Sequence, residues 1–263
     1  MDCSLSLNGI ARACGVSRSH LAHAFGTATG LTVMKYLRAR RLSRAAYALA
    51  NGAPDFLAVA LDAGYSSHEA FTRAFRDHFS MPPERLRELN SINGLEITHP
   101  LTLQSGDSTS LPAPRFERQD RILVVGLSEP CSFEETINIP TQWQRFMAYY
   151  EAILHISRPI PVGVSQAPDD EGRFRYLCGV EVSRFGEIPT ELEIVEIPSR
   201  RYAVFEHTGH VSGLYWTYAA IWNEALPALG CTIADAPILE RHNSCFDPKS
   251  GEGGLTLWIP LMG

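Results

Sequence analysis

No apolar run in the 263-residue sequence approaches the roughly 20 residues that span a bilayer, so no membrane partner is expected. The opening text "MDCSLSLNGIARACG" lacks a basic start followed by an apolar core. Without that pattern no signal peptide is expected, and the default location is the cytoplasm. The six cysteines (3, 14, 131, 178, 231 and 245) include no CxxC pair and no zinc-type spacing, and are expected to be reduced thiols. GxSxG, P-loop and GxGxxG motifs are missing too, which removes the common hydrolase, phosphate-cradling and dinucleotide signatures. His207 and His210 are spaced HxxH, but no third ligand accompanies them. No metal and no cofactor is expected.

Charge is unevenly distributed. Residues 1–91 hold 11 Lys and Arg against 7 Asp and Glu, a net of +4. Residues 92–263 hold 12 against 22, a net of −10. A basic third on an acidic remainder predicts two domains with different partners, the basic one facing nucleic acid. The text changes in the same place. Up to residue 90 it is rich in Ala, Leu and Arg with apolar residues three and four apart, and reads as helical. "SINGLEITHPLTLQSGDSTSLPAP", residues 91–114, is rich in Ser, Gly, Thr and Pro and reads as a linker. From residue 115 strand-like and helix-like runs alternate as strand-helix-strand-strand, twice. That order predicts an α+β domain: a curved antiparallel sheet with two helices on one side.

The helical region spells one pattern twice. "ARACGVSRSHLAHAF" (11–25) and "AVALDAGYSSHEAFTRAF" (58–75) each place Gly, a hydrophobic residue and Ser between two helical runs. Gly15 and Gly64 suit a turn with positive φ. Ser17 and Ser67 suit the N-cap of the following helix. The spacing predicts two helix-turn-helix units joined by one long helix over "LTVMKYLRARRLSRAAYALA". Their second helices would enter major-groove faces about 34 Å apart. The candidate DNA contacts are Arg18, Ser19, His20 and His23 in the first unit. In the second they are Ser67, His68, Glu69, Thr72, Arg73 and Arg76. Leu21 and Phe25 in the first unit, and Ala70 or Phe71 with Phe75 in the second, are expected to be core. The first reading helix is poor in polar tips because of Ala22 and Ala24, so the second, with Arg73 and Arg76, is the better reader.

Residues 6–89 resemble the DNA-binding domain of the AraC/XylS family of transcription regulators. The resemblance rests on "ARACGVSRSHLAHAF", "GLTVMKYLRARRLSRA" and "LDAGYSSHEAFTRAFRDHFSMPPERLR", the last being the most specific. It implies an all-α double helix-turn-helix domain over residues 1–90, double-stranded promoter DNA as a partner, and contact with RNA polymerase. The family's domain usually opens with a further amphipathic helix, and this sequence starts just after the point where that helix would end.

Residues 115–263 are similar to the GyrI-like small-molecule-binding domain, on the strength of "RYAVFEHTGHVSGLYWTYAAIWNEALPALG", "PILERHN" and "GGLTLWIPL". That similarity implies a pocket between helices and sheet, lined by aromatics and a carboxylate, for a small hydrophobic effector, cations included. Cations would be held by ring faces and buried charge. The candidates are Tyr149, Tyr176, Tyr218, Trp216, Trp222 and Trp258, with Glu181 in "LCGVEVS" as the carboxylate, since alternation can turn it to the concave face. The family's acidic residue in the last strand is Thr256 here, which leaves the charge preference open. The expected whole is a transcription regulator, not an enzyme. One rival is a hydrolase using Glu181 with Tyr176 or Trp216, or a drug-sequestering binder, with a vestigial DNA-binding half. The other is a protein-interaction role without specific DNA contact.

Overall fold

The computed structural model describes residues 5–53, 55–101, 111–132, 139–169, 171–246 and 251–262. Cys3 and the middle of the 91–114 connection lie outside them. The chain forms two compact units. One is helical and runs from Val33 to the break after residue 101. The other joins Leu7–Thr32 to the residues from Leu111 onward. The first helix-turn-helix therefore belongs to the unit of the α+β domain.

In the helical unit, α3 (Val33–Ala50) is long because nothing interrupts its Ala, Leu and Arg. Asn51-Gly52 ends it, with Gly52 at φ 79°. α4 (Phe56–Asp62) and α5 (His68–Phe79) follow, then α6 (Pro83–Leu89) with its proline in the first turn. Leu42, Ala46, Leu49, Ala60, Phe71, Phe75 and Leu86 form the core. Phe71, Phe75 and Phe79 recur every four residues and line one side of α5.

The repeated text is repeated structure. Between α1 (Leu7–Ala13) and α2 (Arg18–Thr29), Gly15 lies at φ 70°, and between α4 and α5, Gly64 lies at φ 84°. Both turns make the same bonds. Gly15 N donates to Arg12 O and Val16 N to Ala11 O; Gly64 N donates to Leu61 O and Tyr65 N to Ala60 O. Ser17 Oγ then accepts from His20 N and Ser67 Oγ from Ala70 N. Two helix-turn-helix units with one capping scheme result.

In the second unit β1 (Arg115–Gln119), β2 (Ile122–Ser132), β3 (Ile156–Ser165), β4 (Arg173–Val182), β5 (Glu193–Ile197), β6 (Arg200–His207), β7 (Ile238–His242) and β8 (Leu255–Pro260) form one sheet in the order β1-β6-β8-β7-β3-β4-β2-β5. The described ladders are antiparallel. The two strand-helix-strand-strand repeats are β2-α7-β3-β4 and β6-α8-β7-β8, with α7 at Ile139–Met147 and α8 at Leu214–Ala220. They meet where β3 pairs with β7, and each repeat ends in one added edge strand, β5 or β1. After α8 the helix passes through one π-helical turn, Ile221–Ala225, and ends as α9 (Leu226–Leu229) before Gly230.

Alternation along the strands makes two apolar layers. On the helix side, Phe146 of α7 packs on Val125, Tyr176, Cys178 and Val180, while Ile221, Trp222 and Leu226 pack on Phe205, Leu255 and Leu257. On the other side the curled sheet closes over Val124, Val164, Leu177, Tyr202, Leu239 and Trp258. Polar tethers fix the helices. Buried Gln142 Nε2 donates to Leu127 O and Tyr176 O. Thr217 Oγ1 and His207 Nδ1 are 2.7 Å apart, and His207 Nε2 lies 3.1 Å from His210 O. A carbonyl only accepts, so Nε2 carries the proton and Nδ1 accepts from the threonine. Both imidazole nitrogens of His207 are thus engaged, and no cluster of three potential metal ligands occurs among the described residues.

Candidate functional site

A cavity of about 870 Å³ opens on the helix side of the sheet. Its walls are apolar and aromatic: Trp143 and Met147 from α7, Phe174 and Tyr176 from β4, and Tyr215, Tyr218 and Trp222 from the second helical stretch. β7 runs along its floor with Ile238, Glu240 and His242 facing it. Glu240 is the polar centre. Tyr176 Oη donates to its Oε2 at 2.5 Å and Tyr218 Oη to its Oε1 at 2.7 Å. Burial, with the Glu240 carboxylate next to both phenols, raises both tyrosine pKa values well above the usual range. The phenols stay protonated donors, and a buried negative charge sits among rings. A carboxylate beneath and ring faces around are the groups that favour lipophilic cations in general.

Gly163 of β3 makes this floor possible. A Cβ there would run into the Tyr176 hydroxyl and lie 3.1 Å from Glu240 Oε2. Gly163→Ala is therefore expected to displace Tyr176 from Glu240 and lower effector affinity without unfolding the sheet. Calorimetric titration beside a thermal melt checks both halves. His242 is held by Pro161 O at 3.3 Å, with Trp143 edge-on at 5.1 Å and Phe246 at 4.1 Å. Burial lowers its pKa more than that hydrogen bond raises it, which favours the neutral ring.

Of the residues expected to bind ligand, Tyr176, Tyr218 and Trp222 line this cavity. Four others lie elsewhere. Glu181 is five residues from Tyr176 in one strand, an odd separation, so it points through the opposite face. There its Oε1 pairs with Arg241 Nη2 at 2.7 Å. The Arg241 guanidinium also donates to Gln119 Oε1 and lies over the Trp258 ring at 4.7 Å. Trp258 is on that same far side. Trp216 is 65% exposed, and Tyr149 packs into the α7 layer beside the cavity. The hydrolytic constellation of Glu181 with Tyr176 or Trp216 is not assembled. Glu240 was legible in "PILERHN" only as strand text; its signal is the Ile238-Glu240-His242 alternation together with Tyr176 two strands away.

The DNA-reading candidates divide likewise. On α5, Glu69, Arg73 and Arg76 are exposed and Thr72 is half-buried. Ser67 caps the helix. His68 turns toward Glu84, with Nε2 3.3 Å from its carboxylate, and meets the Phe56 ring edge-on. On α2 the expected faces are exchanged. Ser19, His20 and His23 are buried, whereas Leu21 and Phe25, expected as core, are half-buried. His20 Nε2 lies 3.0 Å from Trp222 O, and the His23 ring stacks on Trp222 at 4.7 Å and 4°. Arg18 stays half-exposed at the start of the helix.

Burial, with His20 beside it, lowers the His23 pKa from 6.5 to about 3. A lowered folded pKa means stability that is present above pH 6.5 and lost as pH falls from there toward 3. Each pH unit below 6.5 is expected to cost this arrangement about 1.4 kcal/mol from His23 alone. Melting curves from pH 7 to 4.5 check it: His23→Asn should flatten the decline.

The model of the GyrI-like small molecule binding domain matches residues 112–262, and a helix-turn-helix domain model matches residues 10–89. The right origin-binding protein of Escherichia coli K12 is 27% identical over 275 residues, covering 100% of this chain and 92% of that protein. The transcriptional regulator Rob of Salmonella typhimurium is 27% identical over 98% of this chain and 91% of its own length. The multiple antibiotic resistance protein MarA of E. coli K12 is 30% identical over 38% of this chain and 80% of its own. The chain belongs to the GyrI-like small-molecule-binding family, with that domain carried behind an AraC-type helix-turn-helix domain.

Proposed function

We propose that the protein is a DNA-binding transcription regulator whose α+β domain senses a small hydrophobic molecule, with lipophilic cations as the preferred class. The observation carrying this is the Glu240 floor: a buried carboxylate, two donating phenols and a cage of rings, in one chain with a helix-turn-helix that leaves Arg73 and Arg76 in solvent. The resemblance to Rob over nearly the whole length supports the pairing of the two activities. RNA polymerase is the partner through which such a regulator would act.

Fluorescence anisotropy with a duplex from the chain's own upstream region tests the DNA half. Arg73→Ala with Arg76→Ala should weaken binding and flatten the slope of log K against log salt by about 1.8, at roughly 0.9 per lost phosphate contact. An unchanged slope would show that α5 does not meet the DNA backbone. Tetraphenylphosphonium, a rigid lipophilic cation, is the probe for the effector half.

A further inference from the structure

The cavity has a wall that its fold does not require. His23, Gly26 and Thr27 of α2 line it alongside Trp222 and Tyr218. Ala24 joins the apolar layer beneath α8. The contact is specific as well as apolar. The His20 ring reaches the Trp222 carbonyl, the His23 ring lies flat on the Trp222 indole, and Trp222 sits in the π-helical turn that interrupts the α8–α9 stretch. Such turns cluster at functional positions. His20 and His23, on the face that a recognition helix offers to base edges, are buried in this contact, and Ser19 on the same helix is buried as well.

We propose that α2 is shared between the effector site and the DNA-reading surface, so that an effector-filled cavity holds the first reading helix away from DNA. One face cannot be under Trp222 and in a major groove at once. An effector touches His23, Gly26 and Thr27 only while α2 is docked, so it binds the docked form better and shifts the chain toward it. By linkage, DNA engaged through α2 weakens the effector by the same factor. In the docked form the second helix-turn-helix reads alone. The coupling rests on the effector reading above; the docking of α2 does not.

Amide hydrogen exchange on the full chain separates the two. Without ligand, His23→Ala should speed exchange across residues 18–27 about tenfold and leave residues 68–79 unchanged. His23→Phe, which keeps a ring on Trp222, should restore protection. Equal exchange in the wild type and His23→Ala, with residues 68–79 still protected in both, overturns the docking. Saturating tetraphenylphosphonium should slow exchange across 18–27 in the wild type, and the duplex should weaken its binding at least fivefold. Calorimetrically confirmed binding that leaves 18–27 unchanged overturns the coupling. If the cation does not bind at all, the effector class falls, and the His23 comparison still decides the docking.

Discussion

Replacing Glu240 with glutamine should lower the affinity for tetraphenylphosphonium about 10- to 100-fold while leaving neutral triphenylphosphine oxide nearly unaffected. Two unit charges about 5 Å apart attract by about 3 kcal/mol at an effective dielectric of 20, and part of that offsets the cost of stripping water from the cation. A residual 1.4–2.7 kcal/mol is the stated loss. Glutamine suits the test because its size is unchanged. Its oxygen can still accept from one of the two phenols that now donate to the carboxylate, Tyr176 and Tyr218. Titration calorimetry with both probes reads the result. An equal fall for both would mean that Glu240 shapes the cavity rather than attracting charge. No fall for the cation would remove Glu240 from recognition.

The second large effect lies across the sheet. Arg241→Met should destabilise the α+β unit by about 3–5 kcal/mol, because it leaves the Glu181 carboxylate buried without its counter-charge. For a unit of this size that is a fall in melting temperature of roughly 6–20 °C. Glu181→Leu combined with Arg241→Met should recover most of it, since an apolar pair there joins Val124, Leu177 and Leu239. Thermal melts of the two variants decide this. Effector affinity should be untouched in the double variant. A loss of affinity there would return Glu181 to the binding site.

Much of the fold was open to inspection in the sequence because its signals are local. Gly15 and Gly64, Ser17 and Ser67, and the four-residue spacing of Phe71, Phe75 and Phe79 each act within one turn or one helix. The two strand-helix-strand-strand runs also followed from periodicity. The site was harder because it depends on which strand face is which. Glu181 sits among valines in a way that suits either face; its odd separation from Tyr176 settles the matter only once Tyr176 is known to line the cavity. Glu240 follows the same parity with Ile238 and His242. The buried face of α2 had no local signal. Ser19, His20 and His23 are polar, and what meets the two histidines is Trp222, about two hundred residues away in the chain.

The alternation of β7 has a consequence for how such a protein diversifies. Glu240 and Arg241 are consecutive, one beneath the cavity and one in the interior of the curled sheet. A one-residue slip in the register of this strand would exchange them, because it turns every side chain to the other face. A guanidinium would then meet the ligand, and the lineage would favour anions. If the cavity takes cations as proposed, preferences for opposite charges are separated by a single codon of insertion or deletion near Ile238, and the ion pair with Glu181 is what makes that step costly.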